Sequence, residues 1–384
     1  MTEPVNKPVS LDRAGGPGAY PGLTSHEELP PPVSTNQRIL RRFLKHRMAV
    51  GALLVLAFLY LTMLAGPFIA PYGEATEDRA RSFMPPTKVY LDAGGLYIRN
   101  ATITVDPSTG AEVLQVDRSE KYRLKLFVAG DAYHLFGFLP ARTHLFGVDK
   151  PAGLFLFGTD QAGRDIFSRT LYGARISLTV GVMAIFIVVP LGMLIGGISG
   201  YFGGWVDNVL MRVVEALMSF PSFYLLLFLF GVTYKWDITP TQRYVLIVGI
   251  LSLIGWTSLA RVIRGQVLSL RAQEYVEASL AAGASSLWVI TRHILPQTAT
   301  WVTISASMMV PNFILGESAL SMLGLGVQQP AASWGNLLQD AMAISSLTLH
   351  PWLMIPALFI VVTVVAFNFC GDGVRDAFDA KSRV

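Results

Sequence analysis

Six uncharged, largely apolar stretches recur along the chain, and each is close to the length of a membrane-spanning helix. A helix rises ~1.5 Å per residue, so roughly 20 apolar residues cross a hydrocarbon layer about 30 Å thick. The stretches are residues 48–70, 176–206, 216–234, 244–260, 293–316 and 351–371. Within the fifth stretch we expect the helix to begin after Pro296, because proline lacks a backbone N–H. The pattern predicts an all-α membrane protein with six transmembrane helices.

A seventh uncharged stretch, residues 318–339, is long enough to span but has a different composition. It contains Gly324, Gly326, Pro330 and Gly335 together with several amide side chains. Non-helical backbone at membrane depth is tolerated only where protein or a water-filled cavity covers it. We therefore expect an outer loop with a re-entrant or surface-lying turn.

Basic residues flank the predicted spans far more often on one side than on the other. The short segments on the opposite side carry only Lys235 and Arg243. The richer side carries thirteen: Arg38, Arg41, Arg42, Lys45, Arg47, Arg212, Arg261, Arg264, Arg271, Arg292, Arg375, Lys381 and Arg383. Because short cytoplasmic segments are enriched in Lys and Arg, both ends of the chain are predicted to be cytoplasmic.

The composition agrees with a membrane protein and excludes several other classes. Hydrophobic residues make up 52% of the 384 residues and charged residues 15%, whereas soluble domains usually carry about 25% charged residues. A formal net charge of +4 does not indicate nucleic-acid binding. The single cysteine, Cys370, excludes an intrachain disulfide framework and a cysteine-rich metal site.

A long segment between the first two spans has the alternating pattern of β-strands. Residues 97–106 and 112–117 alternate on either side of a Pro-Ser-Thr-Gly turn, and residues 122–128 are a third candidate strand. The chain therefore divides into a disordered cytoplasmic tail (1–37), a first transmembrane helix with its basic flank (38–72), a β-containing extracytoplasmic insertion (73–157) and a five-helix core (158–384).

The insertion also contains a loose Leu-Phe-Gly repeat. Its copies are His134–Gly137, His144–Gly147 and Leu156–Gly158. Exposed Leu-Phe pairs near a bilayer can anchor at the interface or form a docking surface, but packing inside the domain is the commoner reason for such residues. The two histidines raise the question of metal, and packing is again the favoured interpretation.

The cytoplasmic loop 261–297 contains two short predicted helices, residues 268–282 and 286–293. Gly283 lies between them, where positive φ can turn the chain. The first helix ends in small residues, including Ala278 and Ser279, which allow close approach to another protein. Pro296 is expected to end the second helix.

This loop resembles the EAA loop of ABC-importer permeases. The matching positions are Glu277, Ala278, Ser279, Gly283, His293, Leu295 and Pro296, at the family's spacing. Ser279 replaces the second alanine, and His293 stands where many families have isoleucine. The His-x-Leu-Pro ending resembles the peptide-importer branch.

Other segments are similar to the C-type subunit of dipeptide and oligopeptide permeases. An outer signature contains Asp160, Gly163, Arg164 and Asp165, and residues 171–177, 200–207, 333–336 and 368–376 also match. The resemblance is strong over 150–384, weaker over 38–72, and does not include 73–150. The family pattern often ends in Asp-Pro, whereas Asp379 is followed by Ala380.

The resemblance implies a type I importer permease that works within a complex. The partners would be a second permease subunit in a heterodimer, two ATPase subunits and an extracytoplasmic binding protein. The loop would dock in the ATPases as a coupling helix, with Glu277 orienting it through a hydrogen bond; alternatively, Glu277 is only an exposed helix glutamate. The implied cargo is peptide, with nickel or another small solute as the alternative.

The chain itself is expected to be a transport subunit and not an enzyme. It has no Gly-x-x-x-x-Gly-Lys-Ser/Thr motif, so ATP and Mg²⁺ would bind the partner ATPases and no cofactor is expected here. Gly197-Ile-Ser199-Gly200 is similar to an intramembrane serine protease motif. His350, however, is predicted about 30 Å away across the bilayer, and His293 lies in the loop.

A secondary transporter is the remaining class, and it usually needs acidic residues near the middle of its spans. None is present there. Glu317, near the outer end of the fifth span, is expected either to line the outward mouth of the pathway or to lie at the interface.

Overall fold

The structure is a computed structural model that describes residues 34–105, 108 and 112–378. Most of the predicted tail, 1–37, and the Asp379-Ala380 pair lie outside the described residues. The helices are α1 Thr35–Lys45, α2 Arg47–Ile69, α3 Ile166–Phe202, α4 Gly204–Ser219, α5 Ser222–Thr233, α6 Pro240–Leu270, α7 Glu274–Ala281, α8 Ser286–Val289, α9 Ala299–Met322, α10 Trp334–Leu337, α11 Ile344–Leu349 and α12 Ile355–Phe378. The helical membrane fold with a small β insertion is thereby confirmed.

Five helical runs in the described part of the chain are long and apolar enough to cross a membrane. They are Arg47–Ile69, Ile166–Phe202, Pro240–Leu270, Ser286–Met322 and Pro351–Phe378. The third predicted span, 216–234, instead falls on a pair of helices, α4 and α5, bent by 84°. Pro221 explains the bend, because the residue before a proline is pushed out of the helical conformation.

Two spans are longer than the uncharged runs that predicted them. α3 begins ten residues before position 176 and includes Arg169, while α6 includes Arg243 and Arg264. These three side chains have polar partners within the protein, whereas Arg175, which also lies on α3, is exposed.

Pro296 does not end a helix, contrary to the prediction. A π-helical turn, Ile290–Ile294, and a 3₁₀ turn, Leu295–Thr298, join α8 to α9. Proline has no backbone N–H to donate to the preceding turn, and these short changes of helix type allow it to lie within the helical run. The loop and the fifth span therefore form one continuous helical run.

Glycines bring the helices of the bundle close together. Gly192, Gly196 and Gly200 form a stripe on α3 that lies against α6; a Cβ on Gly196 would be 2.5 Å from the carbonyl oxygen of Ala260. On α12, a Cβ on Gly373 would be 2.2 Å from the Cβ of Ala49 on α2. Small residues at such spacing let membrane helices pack in backbone contact.

The insertion contains seven strands in three small antiparallel groups. These are β1 Tyr90–Asp92, β2 Gly95–Ile98, β3 Ala101–Val105, β4 Glu112–Val116, β5 Tyr122–Arg123, β6 Lys125–Leu135 and β7 Leu139–Gly147. The sheet order is β1-β2-β5, and β3 pairs with β4, and β6 with β7. The predicted strand 97–106 is divided at Arg99–Asn100, and its second part, β3, pairs with β4 so that Ile103 lies opposite Leu114.

The Leu-Phe-Gly repeat is not a structural repeat. Its first copy forms the β6–β7 turn, with Phe136 and Gly137 at positive φ. The second copy ends β7, and the third lies in the loop before α3. The three copies therefore have three different environments.

Residues 323–350 fold back over the bundle and do not form a seventh span. Trp334 is fully buried, and its indole N–H donates to the carbonyl of Thr170 at 2.9 Å. Its backbone N–H donates to Ser177 Oγ at 3.0 Å. The loop is thus fastened to α3 on the outer side of the predicted topology.

Candidate functional site: the coupling loop and the outer cluster

The loop between α6 and α9 is a two-helix elbow. α6 ends at Leu270, and residues 271–273 separate it from α7, so the single helix predicted over 268–282 is wrong. The Arg271 guanidinium donates to the carbonyls of Gly200 and Tyr201, at 3.3 and 3.0 Å, and holds this break against the end of α3. Gly283 has φ +86°, as the predicted turn requires.

One side of the elbow is buried and the other is open. Val276, Val289 and Ile294 anchor it in the core of the bundle. The opposite side, which we call the loop face, consists of Glu277, Ala278, Leu280, Ala281, Ala282, Gly283, Leu287 and Trp288. Leu287 and Trp288 are 62% and 47% exposed. An apolar surface of small residues with large ones at its edge is typical of a protein contact.

His293 connects the two helices of the elbow. Its ring makes an edge contact with Trp288, at 4.8 Å between centroids, and lies 6.3 Å from Tyr275 on α7. Leu295 packs over Gly197 of α3, where a Cβ would be 3.2 Å from its Cδ2. Ser279 donates to the carbonyl of Tyr275 at 2.7 Å. These contacts make the elbow stiff, whereas Pro296 is exposed.

Glu277 is exposed, and its carboxylate makes no hydrogen bond or ion pair with any residue in the described part of this chain. Its role as an orienting residue stays a prediction. A partner for its charge would have to come from another chain or from solvent.

Next to the elbow, a partly buried ion pair joins α3, α4 and α6. Arg264 on α6 donates from Nε and Nη2 to the two Asp207 oxygens at 2.5 Å each. Ser199 on α3 donates to the same carboxylate, also at 2.5 Å. Among the described residues, the Ser199 hydroxyl is therefore engaged by a carboxylate and not by a histidine, whereas the nucleophile of a serine protease needs a base within hydrogen-bond reach. Sequence reasoning missed the pair, because its partners are 57 residues apart.

On the other side of the bundle, the outer signature forms a charge cluster. Arg164 donates from Nε to Asp160 at 2.7 Å and from Nη1 to Gln329 at 2.7 Å. Arg169, which is fully buried, donates to the same Gln329 oxygen at 2.6 Å and to the carbonyl of Glu74 at 2.9 Å. The cluster therefore connects the segment after α2, the start of α3 and the loop after α9.

Asp165 and Gly163 shape the start of α3. Asp165 caps the helix by accepting from the Ser168 N–H at 2.8 Å and from its hydroxyl at 2.6 Å. Burial raises the pKa of the Asp165 carboxyl to about 7, since charge is disfavoured away from water. Gly163 has φ +72°, and a Cβ there would be 1.8 Å from the carbonyl oxygen of Asp78. In this structure the signature residues therefore connect the segment after α2 to the start of α3.

Glu317 is completely buried between α3, α9 and the outer loop. It accepts hydrogen bonds from Ser321 at 2.6 Å and from Ser177 and Ser318 at 3.4 Å each. It has no exposed surface here, so it lines no open passage in this conformation. Its place in the mouth of a pathway stays a prediction.

The two insertion histidines lie in different environments. The His144 ring is buried against the backbone carbonyls of Ala70 and Asp131, at 2.5 and 3.0 Å. His134 is exposed near the β6–β7 turn. Within the described residues, no three acidic, histidine or cysteine side chains are grouped as metal ligands would be.

Comparison with known proteins agrees with this architecture. A family model described as the inner membrane component of binding-protein-dependent transport systems matches residues 189–384. A second, the N-terminal transmembrane domain of oligopeptide transport permease C, matches residues 34–86. The chain belongs to this family of binding-protein-dependent inner-membrane permeases.

Individual relatives extend over most of the chain. The dipeptide transport system permease protein DppC of Bacillus subtilis is 34% identical over 354 residues, which cover 92% of this chain and 88% of the relative. The oligopeptide transport system permease protein OppC of Haemophilus influenzae is 46% identical over 235 residues, or 60% of this chain and 72% of the relative. An inward-facing structure of the MetNI methionine ABC transporter matches 55% of this chain and 94% of its own, with 18% identity and a TM-score of 0.41.

Proposed function

We propose that this permease carries peptides inward across the cytoplasmic membrane and is driven by separate ATPase subunits through its loop face. The peptide permeases among its relatives support this cargo over nickel. The exposed loop face on a stiff elbow is the observation that carries the coupling role. ATP and Mg²⁺ bind the two ATPases, and a second permease subunit completes the pore as a heterodimer.

In this mechanism the elbow transmits movement. ATP binding brings the two ATPases together, and α7 follows the cleft in which it is docked. Because His293 holds α7 against α8, and α8 continues into α9, the movement passes to a transmembrane helix as a rigid-body shift. An extracytoplasmic binding protein delivers the peptide to the opposite face.

Uptake into proteoliposomes tests the energy source. We expect peptide accumulation only when both permeases, both ATPases, the loaded binding protein and ATP are present. Omitting the ATPases, or replacing ATP by a non-hydrolysable analogue, should abolish it. Uptake by this chain alone without ATP would contradict the proposal.

The orientation of the chain in the membrane is tested separately, by cysteine labelling. Cys370, the native cysteine, is first replaced by serine. Ala93 in the β1–β2 turn and Ala282 in the loop face are both exposed, so each can be replaced by cysteine in turn. In intact cells, a membrane-impermeant maleimide should label Ala93→Cys, and it should label Ala282→Cys only after permeabilisation. The reverse pattern would put the loop on the wrong side for ATPases.

A further inference from the structure

Three arginines lie in the outer halves of α3 and α6, and two of them donate hydrogen bonds within the protein. Arg169 is buried in the outer cluster described above. Arg243 is also buried, and it donates to the carbonyls that end α5, including Thr233 at 3.2 Å. The third, Arg175, is exposed, and its guanidinium makes no hydrogen bond or ion pair with any described residue.

The depth of Arg175 can be read from the neighbouring span, α2. Gly66 lies against the Leu171 backbone, with a Cβ-to-oxygen distance of 3.2 Å, and the Tyr60 hydroxyl donates to Leu178 at 2.9 Å. The Arg175 backbone lies between these two levels, hence roughly 5–13 Å inside the outer end of α2 at ~1.5 Å per residue, and its guanidinium extends from there towards the β6–β7 turn. An unpaired arginine at this depth is unfavourable in lipid and indicates a water-filled passage or an anionic partner.

Two hydroxyl groups lie on the inner side of Arg175, and a turn of the insertion lies on its outer side. One turn further in, the hydroxyls of Thr179 on α3 and Tyr244 on α6 are 2.8 Å apart. Above, a Cβ on Gly137 at the β6–β7 turn would be 4.0 Å from Arg175 Nη2. The same turn exposes Phe138, at 75%. Guanidinium, hydroxyl pair and turn together form what we call the mouth site.

We propose that the mouth site binds a carboxylate, namely the C-terminal carboxylate of the transported peptide. This inference rests on the proposed function. The planar guanidinium presents two parallel N–H donors that match a carboxylate. The Thr179 hydroxyl donates to the Arg175 backbone carbonyl and pairs with the Tyr244 hydroxyl, so this pair adds polar surface to the site and not a free donor. The β6–β7 ribbon of the insertion covers the site from outside. An acidic side chain of the second permease is the other source of the same chemistry.

The experiment compares a peptide that has a free C-terminus with its C-terminal amide. Uptake into proteoliposomes of the whole complex is measured at saturating concentrations of binding protein loaded with each peptide. Arg175→Gln should slow uptake of the free acid by about tenfold, as expected for loss of one charge-assisted pair, and leave the amide nearly unchanged. Arg175→Lys should retain part of the preference.

The control is Arg142→Gln, which removes another exposed positive charge, on β7 of the insertion. Equal slowing of both peptides in Arg175→Gln, together with weaker co-purification of the second permease, would assign the carboxylate to that subunit and overturn the peptide site. Unchanged uptake of both peptides would also overturn it. If wild-type complex transports neither peptide with ATP, the proposed function itself fails.

Discussion

Ala278→Glu is expected to abolish ATP-driven transport and to release the ATPases while the bundle remains folded. Ala278 is exposed in the middle of the loop face, so the substitution introduces no clash within this chain. In the docked complex the new carboxylate would be buried without a partner, and an unpaired buried charge costs several kcal/mol. ATPase binding should therefore weaken by on the order of 100-fold or more.

Co-purification of the ATPases and peptide uptake measure this effect. Ala93→Glu is the matched control, because it adds the same charge to an exposed alanine in the insertion. It should leave both quantities at the wild-type level. If Ala278→Glu retains bound ATPases and full coupling, the loop face is not the docking surface.

Gly163→Ala should strongly destabilise the outer part of the fold. The added Cβ would be 1.8 Å from the Asp78 carbonyl oxygen and 2.5 Å from its carbon, so the segment after α2 must move. A left-handed backbone adds roughly 1–2 kcal/mol for a residue with a side chain. We expect a total loss of about 3 kcal/mol or more, since the movement also disturbs the contact of Arg164 with Asp160.

Gly95→Ala separates the two contributions. Gly95 also has positive φ, +106°, but no atom lies within 4 Å of its added Cβ. The free energy of unfolding of Gly95→Ala should therefore fall only by the cost of the left-handed backbone. Thermal unfolding of the detergent-solubilised chain, followed by circular dichroism, compares the two variants. Equal shifts of the midpoint would show that the contact at Asp78 is not restrictive.

The hydrophobic pattern predicted the centres of the spans better than their ends. Counting uncharged residues stops at the first arginine, so it could not include Arg169, whose partners Glu74 and Gln329 are remote in sequence. The same limitation hid the contact between Asp207 and Arg264. The bend between α4 and α5 had a local signal, the proline at 221, but it lay inside an apolar run.

The loop was predicted more fully, because its function depends on local features. Small residues, a glycine turn and regular spacing are all visible in the sequence, and Gly283 has the positive φ that was expected. The clamp of His293 between Tyr275 and Trp288 was not predictable, since it depends on how α7 and α8 cross. The β6–β7 ribbon was largely missed, because its pairing shifts between Ala129 and Tyr133 and interrupts the alternation.

The continuous helical run from Ser286 to Met322 has a mechanical consequence. At ~1.5 Å per residue it is about 55 Å long, with its inner end in the loop and its outer end beside Glu317. Such a rod behaves as a lever: a small tilt at one end becomes a lateral displacement at the other. Because coupling between two sites acts in both directions, substitutions of the serines that hydrogen-bond to Glu317 should change the affinity of the ATPases for the loop at the opposite end of the run.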